Sequence, residues 1–263
     1  MEPASLATGI IALAGLFNNA VDCFEYVQLG RKFGKDFQTS LLKLDNARLR
    51  LSRWGQSIGL SGDLQDVQTL NQTLVSAENV KKADERLSQI LELFADAEGV
   101  SAKFKSRTKP DDATLLEQGT GAGLDPVAAS LHQKMRELSI KRQNQTSLRQ
   151  KTKWALYEEK HFRRLIEDTT DLVDGLVELF PAAQVAQRNL CEIEVSEMGT
   201  DESLSVLKDV AADQDAYLED AVLKAIERRM SQSGGSNAAF YGANYGMQLH
   251  TNTGTMNNTF GRG

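Results

Sequence analysis

Three histidines and two cysteines are the side chains of this chain best suited to metal or covalent chemistry, and their spacing supports neither. His132, His161 and His250 share no i,i+4 relationship, so no helix face offers two imidazoles to one ion, and no zinc-ligand spacing occurs. Nothing beside Cys23 in the sequence would activate it as a nucleophile; Asp22-Cys23-Phe24 reads as the exit from an apolar helix. The acidic pairs Glu158-Glu159 and Asp111-Asp112 are sequence neighbours. On a helix such neighbours diverge by about 100°, toward solvent rather than toward a shared proton. Gly119, Gly121 and Gly123 fall in a loop from Ser106 to Asp125, but no Lys-Ser/Thr follows and no strand precedes them, as a phosphate-binding loop requires. No nucleophile elbow is present. These absences argue against an enzyme, and the sequence predicts no cofactor and no metal.

The chemistry that the sequence does favour is hydrogen bonding between copies of its backbone. Ser231 to Gly263 carry one formal charge, Arg262, on a chain that is 25% charged. The stretch is rich in Asn, Gly and Thr, contains Phe240, Tyr241, Tyr245 and Phe260, and lacks proline. It has too few aliphatic residues for a core, so a disordered monomeric tail is expected. The same composition suits stacked strands, where Asn and Gln ladders form and little charge opposes stacking. Met247, Leu249, Thr251, Thr253 and Thr255 alternate with Gln248, His250 and Asn252, and glycines at 242, 246, 254 and 261 permit turns. The candidate amyloid motif comprises Asn244, Tyr245, Gly246, Met247, Gln248, Leu249, Asn252, Gly254 and Asn257. A solubilising tail is the alternative.

A net charge of −6 argues against nucleic-acid binding as the main activity, but the charge is segregated. Arg31 to Arg53 holds seven basic and two acidic residues, and Lys134 to Arg164 holds ten and three. Glu167 to Glu227 holds sixteen acidic and three basic residues. Such polarity allows basic surfaces to face anionic lipid with an acidic segment folded back on them; solvated helix faces are the simpler reading. Cys23 and Cys191 offer no disulfide framework, which fits a reducing cytosol.

From Pro3 to Val21 no residue is charged, and nineteen helical residues span about 28 Å, close to the thickness of a bilayer core. The positive flank of a secretory signal is missing, since Glu2 follows Met1. Leu6, Ile10, Ile11, Leu13, Leu16, Phe17 and Val21 together favour insertion by only about 3 kcal/mol, which Asn18 and Asn19 partly offset. The segment therefore reads as a buried helix of a bundle that can enter a membrane if released.

The elements that must position these segments are helical from about residue 4 to 228. Leu44, Ala47, Leu51, Trp54 and Ile58 form a stripe on a helix over about 36–58, and Leu70, Leu74, Ala77, Leu87, Ile90, Leu91 and Phe94 form the next. A third begins near Pro126 and carries Leu131, Met135 and Leu138. One long helix is expected from Leu148 through Ala155, Phe162, Leu165, Ile166, Leu172 and Leu176 to Phe180, ending before Pro181. A short helix follows around Val185 to Val195, and a last one starts with Thr200 as N-cap and ends near Arg229. Alternating β-branched clusters are scarce. The expected fold is an all-α helical bundle over residues 1–230, with a disordered, amyloid-competent tail over 231–263.

Three blocks carry a family resemblance. The run AGLFNNAVDCFEYVQLGRKFGKDFQ, with LRLSRWG at Leu49 to Gly55, closely resembles the start of the fungal HeLo domain of heterokaryon-incompatibility proteins. Lys141 to Tyr157 (KRQNQTSLRQKTKWALY) resembles the family's basic block, and Glu202 to Asp209 (ESLSVLKD) is a weaker match. The resemblance spans roughly residues 4–225. It implies a bundle that oligomerises on activation and inserts its N-terminal helix into the plasma membrane, causing regulated cell death. Leu6, Ile10, Ile11, Leu13, Leu16 and Phe17 would insert, and Arg31, Lys32 and Lys35 would settle at the anionic inner leaflet. The implied partners are the membrane, further copies of the chain, and a NOD-like receptor whose matching amyloid motif templates the tail. The protein would be cytoplasmic at rest. Two features depart from the family's prion-forming members. Their tails carry two charged pseudo-repeats, whereas this one is a single uncharged element, closer to short Asn/Gly/Gln signalling motifs. Lys32, after Gly30-Arg31, also differs from the residues that separate toxic from non-toxic members. A non-toxic adaptor or inhibitor that co-assembles through its tail is the competing reading. An RNA-associated protein is disfavoured, because the basic helix lacks aromatic stacking residues.

Overall fold

The structure, a computed structural model, describes residues 3–29, 37–61, 76–105, 124–143, 154–156 and 159–233. Leu70, Leu74, Leu148, the glycines of the 106–125 loop and the tail from residue 234 lie outside the described residues. The chain divides into one unit over Met1–Val222 and a second over Leu223–Gly263, of which the end of the last helix is described.

The first unit begins with α1 (Pro3–Cys23), a 3-10 turn (Phe24–Tyr26) and β1 (Val27–Leu29), followed by α2 (Phe37–Ser57) and α3 (Ala77–Lys105). Then come α4 (Pro126–Lys141), β2 (Trp154–Leu156), α5 (Glu159–Leu179), a 3-10 turn (Pro181–Ala183), α6 (Gln184–Met198) and α7 (Asp201–Ala211). The helix α8 (Ala216–Ser233) starts in the first unit and continues into the second.

Local chemistry accounts for several helix ends. Asp125 caps α4 by accepting from the Ala128 N–H at 2.8 Å, and Pro126 occupies the first turn, where its missing donor costs nothing. Thr200 and Ser203 form a reciprocal capping box on α7. At the end of α2, Gly59 takes φ 85°, which lets the Leu60 N–H reach the Gly55 carbonyl at 2.8 Å and the Gly59 N–H reach Gln56 at 3.1 Å. This is a Schellman closure, and Leu60 is buried beside it.

The stripes expected on the helices face the core. Leu44, Ala47, Leu51, Trp54 and Ile58 are buried on and just after α2, as are Leu131, Met135 and Leu138 on α4. On α3 the buried positions Val80, Ala83, Leu87, Ile90 and Phe94 alternate at three- and four-residue steps and pack along α1 and α5.

Two expectations need correction. The long helix through Leu148, Ala155 and Phe180 is not continuous: α5 starts at Glu159, and Trp154-Ala155-Leu156 instead pair in parallel with Val27-Gln28-Leu29. These triplets, led by the β-favouring Val27 and Trp154, gain a ladder partner that a helix would deny them, so tertiary pairing overrides the local periodicity. The final helix is also split in two. Asp213 turns the chain at φ 66°, a region that Asp tolerates better than most residues, and Asp215 then accepts from the Leu218 N–H at 3.2 Å to cap α8.

Candidate functional site

The uncharged N-terminal segment is a core element. Leu13 is 1% exposed and Phe17 is wholly buried, with Ile10, Ala14, Ala20 and Val21 beside them. Leu16 packs against the same core from a half-buried position. Ile11 is the exception: it points outward with 41% of its surface exposed. Leu6 lies within the α1 backbone span, and Arg31, Lys32, Lys35 and the candidate amyloid residues 244–257 lie outside the described residues. Among the described residues no helix is long and apolar enough to cross a membrane.

What α1 packs against explains its burial. Gly9 brings it close enough to α3 that a Cβ there would sit 3.3 Å from Val80 Cγ1. Phe17 meets Trp54 of α2 edge to face at 6.3 Å, and Trp54 in turn meets Phe180 at 5.9 Å. Burying side chains such as Leu13 and Phe17 contributes roughly 1.5–3 kcal/mol each, so α1 is held by a large apolar surface.

Polar contacts fasten its C-terminal end. The Gln143 side-chain amide, just after α4, donates to the Asn18 carbonyl at 3.2 Å and to Asp22 Oδ1 at 2.6 Å. In the 3-10 turn, Glu25 bridges two arginines, accepting from Arg48 of α2 and from Arg136 of α4, the latter at 2.9 Å. Burial pushes the Glu25 carboxyl up, but Arg48 and Arg136 outweigh it and hold the group below the usual carboxylate range. Nearby, His132 Nδ1 lies 2.7 Å from Asp45 Oδ2. The hydrogen bond to Asp45 raises the His132 pKa against the opposing effect of burial, while burial raises that of Asp45.

A second charged cluster joins α2 to the acidic half of the chain. The Arg53 guanidinium is wholly buried and donates through Nε and Nη2 to Glu194 of α6, and through Nη1 to both oxygens of Asp215 at 3.1 and 2.9 Å. Arg142 also donates to Glu194, at 2.5 Å. Arg50 pairs with Asp174 and donates to the Gln214 carbonyl at 2.5 Å. Burial alone would lower the Arg53 pKa; Asp215 and Glu194 reverse that and hold it well above the usual value. Burying charges is costly, and the cost is met here by near-complete hydrogen bonding of the guanidinium.

This arrangement corrects both readings for the three arginines at the end of the basic run; Arg31, Lys32 and Lys35 lie outside the described residues. Arg48, Arg50 and Arg53 are neither solvated nor turned toward lipid; they are buried against carboxylates. The acidic stretch does fold back on Arg50 and Arg53, through Asp174, Glu194 and Asp215, whereas Arg48 pairs with Glu25. Charge segregation was the available signal, but pairings more than a hundred residues apart leave no local periodicity to read.

The HeLo family, described as prion-inhibition and propagation, matches residues 5–207 of the chain. The chain belongs to the HeLo family. Among HeLo relatives, heterokaryon incompatibility protein s of Podospora anserina is 37% identical over 226 residues, covering 86% of this chain and 75% of that protein. Heterokaryon incompatibility protein S of the same fungus is 36% identical over the same length. The solved structure of the HET-s N-terminal domain superposes with a TM-score of 0.73 at 36% identity, covering 83% of this chain and 98% of that domain. A double mutant of that domain matches with a TM-score of 0.72. The two long HeLo blocks have distinct placements. LRLSRWG forms the end of α2, where Arg50, Arg53, Trp54 and Gly55 make the contacts above. The basic block supplies Arg142, Gln143 and the strand β2.

Proposed function

We propose that this HeLo protein executes regulated cell death of the heterokaryon-incompatibility kind. Residues 231–263 join a growing amyloid, templated by a NOD-like receptor with a matching motif, through Asn244 to Leu249 together with Asn252, Gly254 and Asn257. Tail assembly crowds the bundles of residues 1–230, and the raised local concentration favours release of residues 3–21 into the plasma membrane. Leu6, Ile10, Ile11, Leu13, Leu16 and Phe17 then face the hydrocarbon, and Arg31, Lys32 and Lys35 meet the anionic inner leaflet. In this reading the protein has no catalytic role.

The observation that supports it is the placement inside the bundle of a helix uncharged over residues 3–21, with its C-terminal end fastened by polar groups that water could replace. The similarity to the two Podospora incompatibility proteins supports the physiological setting. A second reading, a non-toxic adaptor or inhibitor that co-assembles without inserting, is favoured by the lack of a spanning helix among the described residues.

One experiment decides between them. Full-length protein is added to dye-loaded vesicles containing anionic lipid, with and without fibril seeds grown from a peptide of residues 231–263. The executor reading expects seed-dependent dye release. Co-assembly with the seeds and no release would establish the adaptor. Failure of the peptide to form fibrils with the about 4.7 Å cross-β repeat would remove the amyloid step itself.

A further inference from the structure

A cavity of about 420 Å³ opens between the start of α2, the first half of α5 and the α7–α8 turn, and no step of the proposed function uses it. Arg50 pairs with Asp174 two turns further along both helices, past Lys43 and Glu167, so α2 and α5 run in parallel and the lining residues keep their order. One end of the cavity is therefore basic, with Lys43 and Arg163 beside the hydroxyls of Thr39 and Ser40. The other is acidic, with Asp171 and Asp213 beside Thr170 and Gln214. Gln214 belongs to this second end because Arg50 holds its carbonyl and its side-chain amide donates to Thr170 Oγ1 at 3.4 Å.

The groups around this cavity do not satisfy one another. Among the described residues Lys43, Glu167, Asp171 and Asp213 form no ion pair, and Arg163 pairs with Glu159, which lies outside the lining. Thr170 is 8% exposed, and its hydroxyl accepts from Gln214 but donates to no described residue. Gln214 Oε1 is buried and accepts from none. A field that runs from positive to negative across one cavity suits a ligand carrying both charges, whereas a single ion meets like charge at one end. The carboxylates do not converge on a metal, since no group of His, Cys, Asp or Glu among the described residues is placed to hold one. Ile166 is the apolar side chain of the lining, and the volume falls within the range of small-molecule sites, so the ligand is small and polar. We propose that this cavity binds a small linear zwitterion. Lys43 and Arg163 seat its phosphate or carboxylate, and Asp171, Asp213 and the unused Gln214 Oε1 accept the three N–H donors of its primary ammonium. The proposal is independent of tail assembly and of membrane entry by α1.

The test is a titration of the unseeded full-length protein followed by NMR, with phosphoethanolamine and aminocaproate as a short and a long zwitterion. Inorganic phosphate and ethylamine each supply one of the two charges. A zwitterion should shift the amides of 39–43, 163–171 and 213–214 together. It should also bind about tenfold or more tightly than either single-charge probe, which lacks the charge-assisted hydrogen bonds of one end. No shift at these amides with either zwitterion, or equal binding of phosphate or ethylamine, overturns the proposal.

Two variants separate the ends. Lys43→Met should weaken phosphoethanolamine by about tenfold and weaken phosphate as well. Asp213→Asn, which keeps a residue that tolerates the φ of 66°, should weaken phosphoethanolamine by about tenfold and leave phosphate no weaker. Thermal midpoints should stay at the wild-type value. Asp171→Asn, at an exposed position of α5, gives the same reading should Asp213→Asn fail to fold. Unchanged affinity in the variants of both ends counts against the site. The source of the zwitterion is read from neutral vesicles containing phosphatidylethanolamine. Recruitment that free phosphoethanolamine reverses supports the site with a lipid headgroup as its ligand; binding of the soluble probe without recruitment supports it with a free zwitterion.

Discussion

The ring of Phe17 lies over Gly55, so close that a Cβ on residue 55 would meet ring carbons Cε2 and Cζ at 2.3 and 2.4 Å. The ring has nowhere to retreat, because Phe17 is fully buried and braced by Trp54. Gly55→Ala should therefore destabilise the bundle by about 1–3 kcal/mol, the usual range for overpacking. Urea denaturation gives the measurement. Phe17→Leu in the same background should recover part of the loss, since the two changes share one space.

The buried and exposed ion pairs should respond very differently. Glu194→Gln leaves Arg53 and Arg142 facing each other with one negative charge fewer, and breaking a buried pair costs about 3–5 kcal/mol. Arg163→Ala removes an exposed i,i+4 partner of Glu159 and should change stability by less than about 0.5 kcal/mol. Denaturant midpoints of the two variants, with slopes unchanged, check the contrast.

Stability should decline as pH rises past neutrality through the Asp45–His132 pair. His132 is raised above its ordinary 6.5, so the folded state binds this proton more tightly than the unfolded chain does. Its contribution is complete below pH 6.5 and is lost as pH climbs through the raised value. Burial of Asp45 acts in the same sense. Glu25 acts oppositely: held below 4.5, it stabilises above that pH and loses its effect on acidification. Thermal midpoints between pH 6 and 9 should fall in the wild type and stay flatter in His132→Asn.

Position 11, not position 13, is the place to test membrane entry by α1. Leu13 is 1% exposed, so a lysine there would disrupt the bundle before any membrane is met. Ile11 is 41% exposed, and Ile11→Lys should keep the helical signal and the thermal midpoint. A lysine near the centre of a span opposes insertion by roughly 3 kcal/mol, about the whole favourable apolar contribution of the segment. Seeded dye release should therefore be lost in Ile11→Lys while seeded assembly persists. Release at the wild-type level would place the membrane-active surface elsewhere.

The helices were legible because their signals are local. The stripe from Leu44 to Ile58, the Pro126 start and the Thr200 cap each rest on a few neighbouring residues. The parallel pairing of Val27 with Trp154 was not legible, since each strand is only three residues long and its partner is remote. The same holds for Arg53: a basic residue on the polar side of an apolar stripe looks solvated until α6 and the α7–α8 turn close over it. The sequence pattern showed that opposite charges were segregated, but not which would meet in the interior. Of the residues expected to insert, Ile10, Leu13, Leu16 and Phe17 face the core or its margin, whereas Ile11 faces outward. A uniformly apolar run carries too little contrast to tell these orientations apart.

The two-stranded ribbon sets a stopping point. Three residues separate the end of α1 from β1, and two separate its partner strand from α5. Any peeling of the chain from its N-terminus would have to undo the packing of α1 and the Gln143 and Glu25 contacts, and would then meet a hydrogen-bonded ladder anchored to another part of the bundle. In a protein that releases its N-terminus, the ribbon would act as a leash knot on the chain that pays out, the 3-10 turn and the twenty-one residues of α1, of which the helix spans about 32 Å. That is close to the about 30 Å hydrocarbon thickness of a bilayer. The reach of a released N-terminus would then be set by a short pairing near the root of the helix, not by the helix itself.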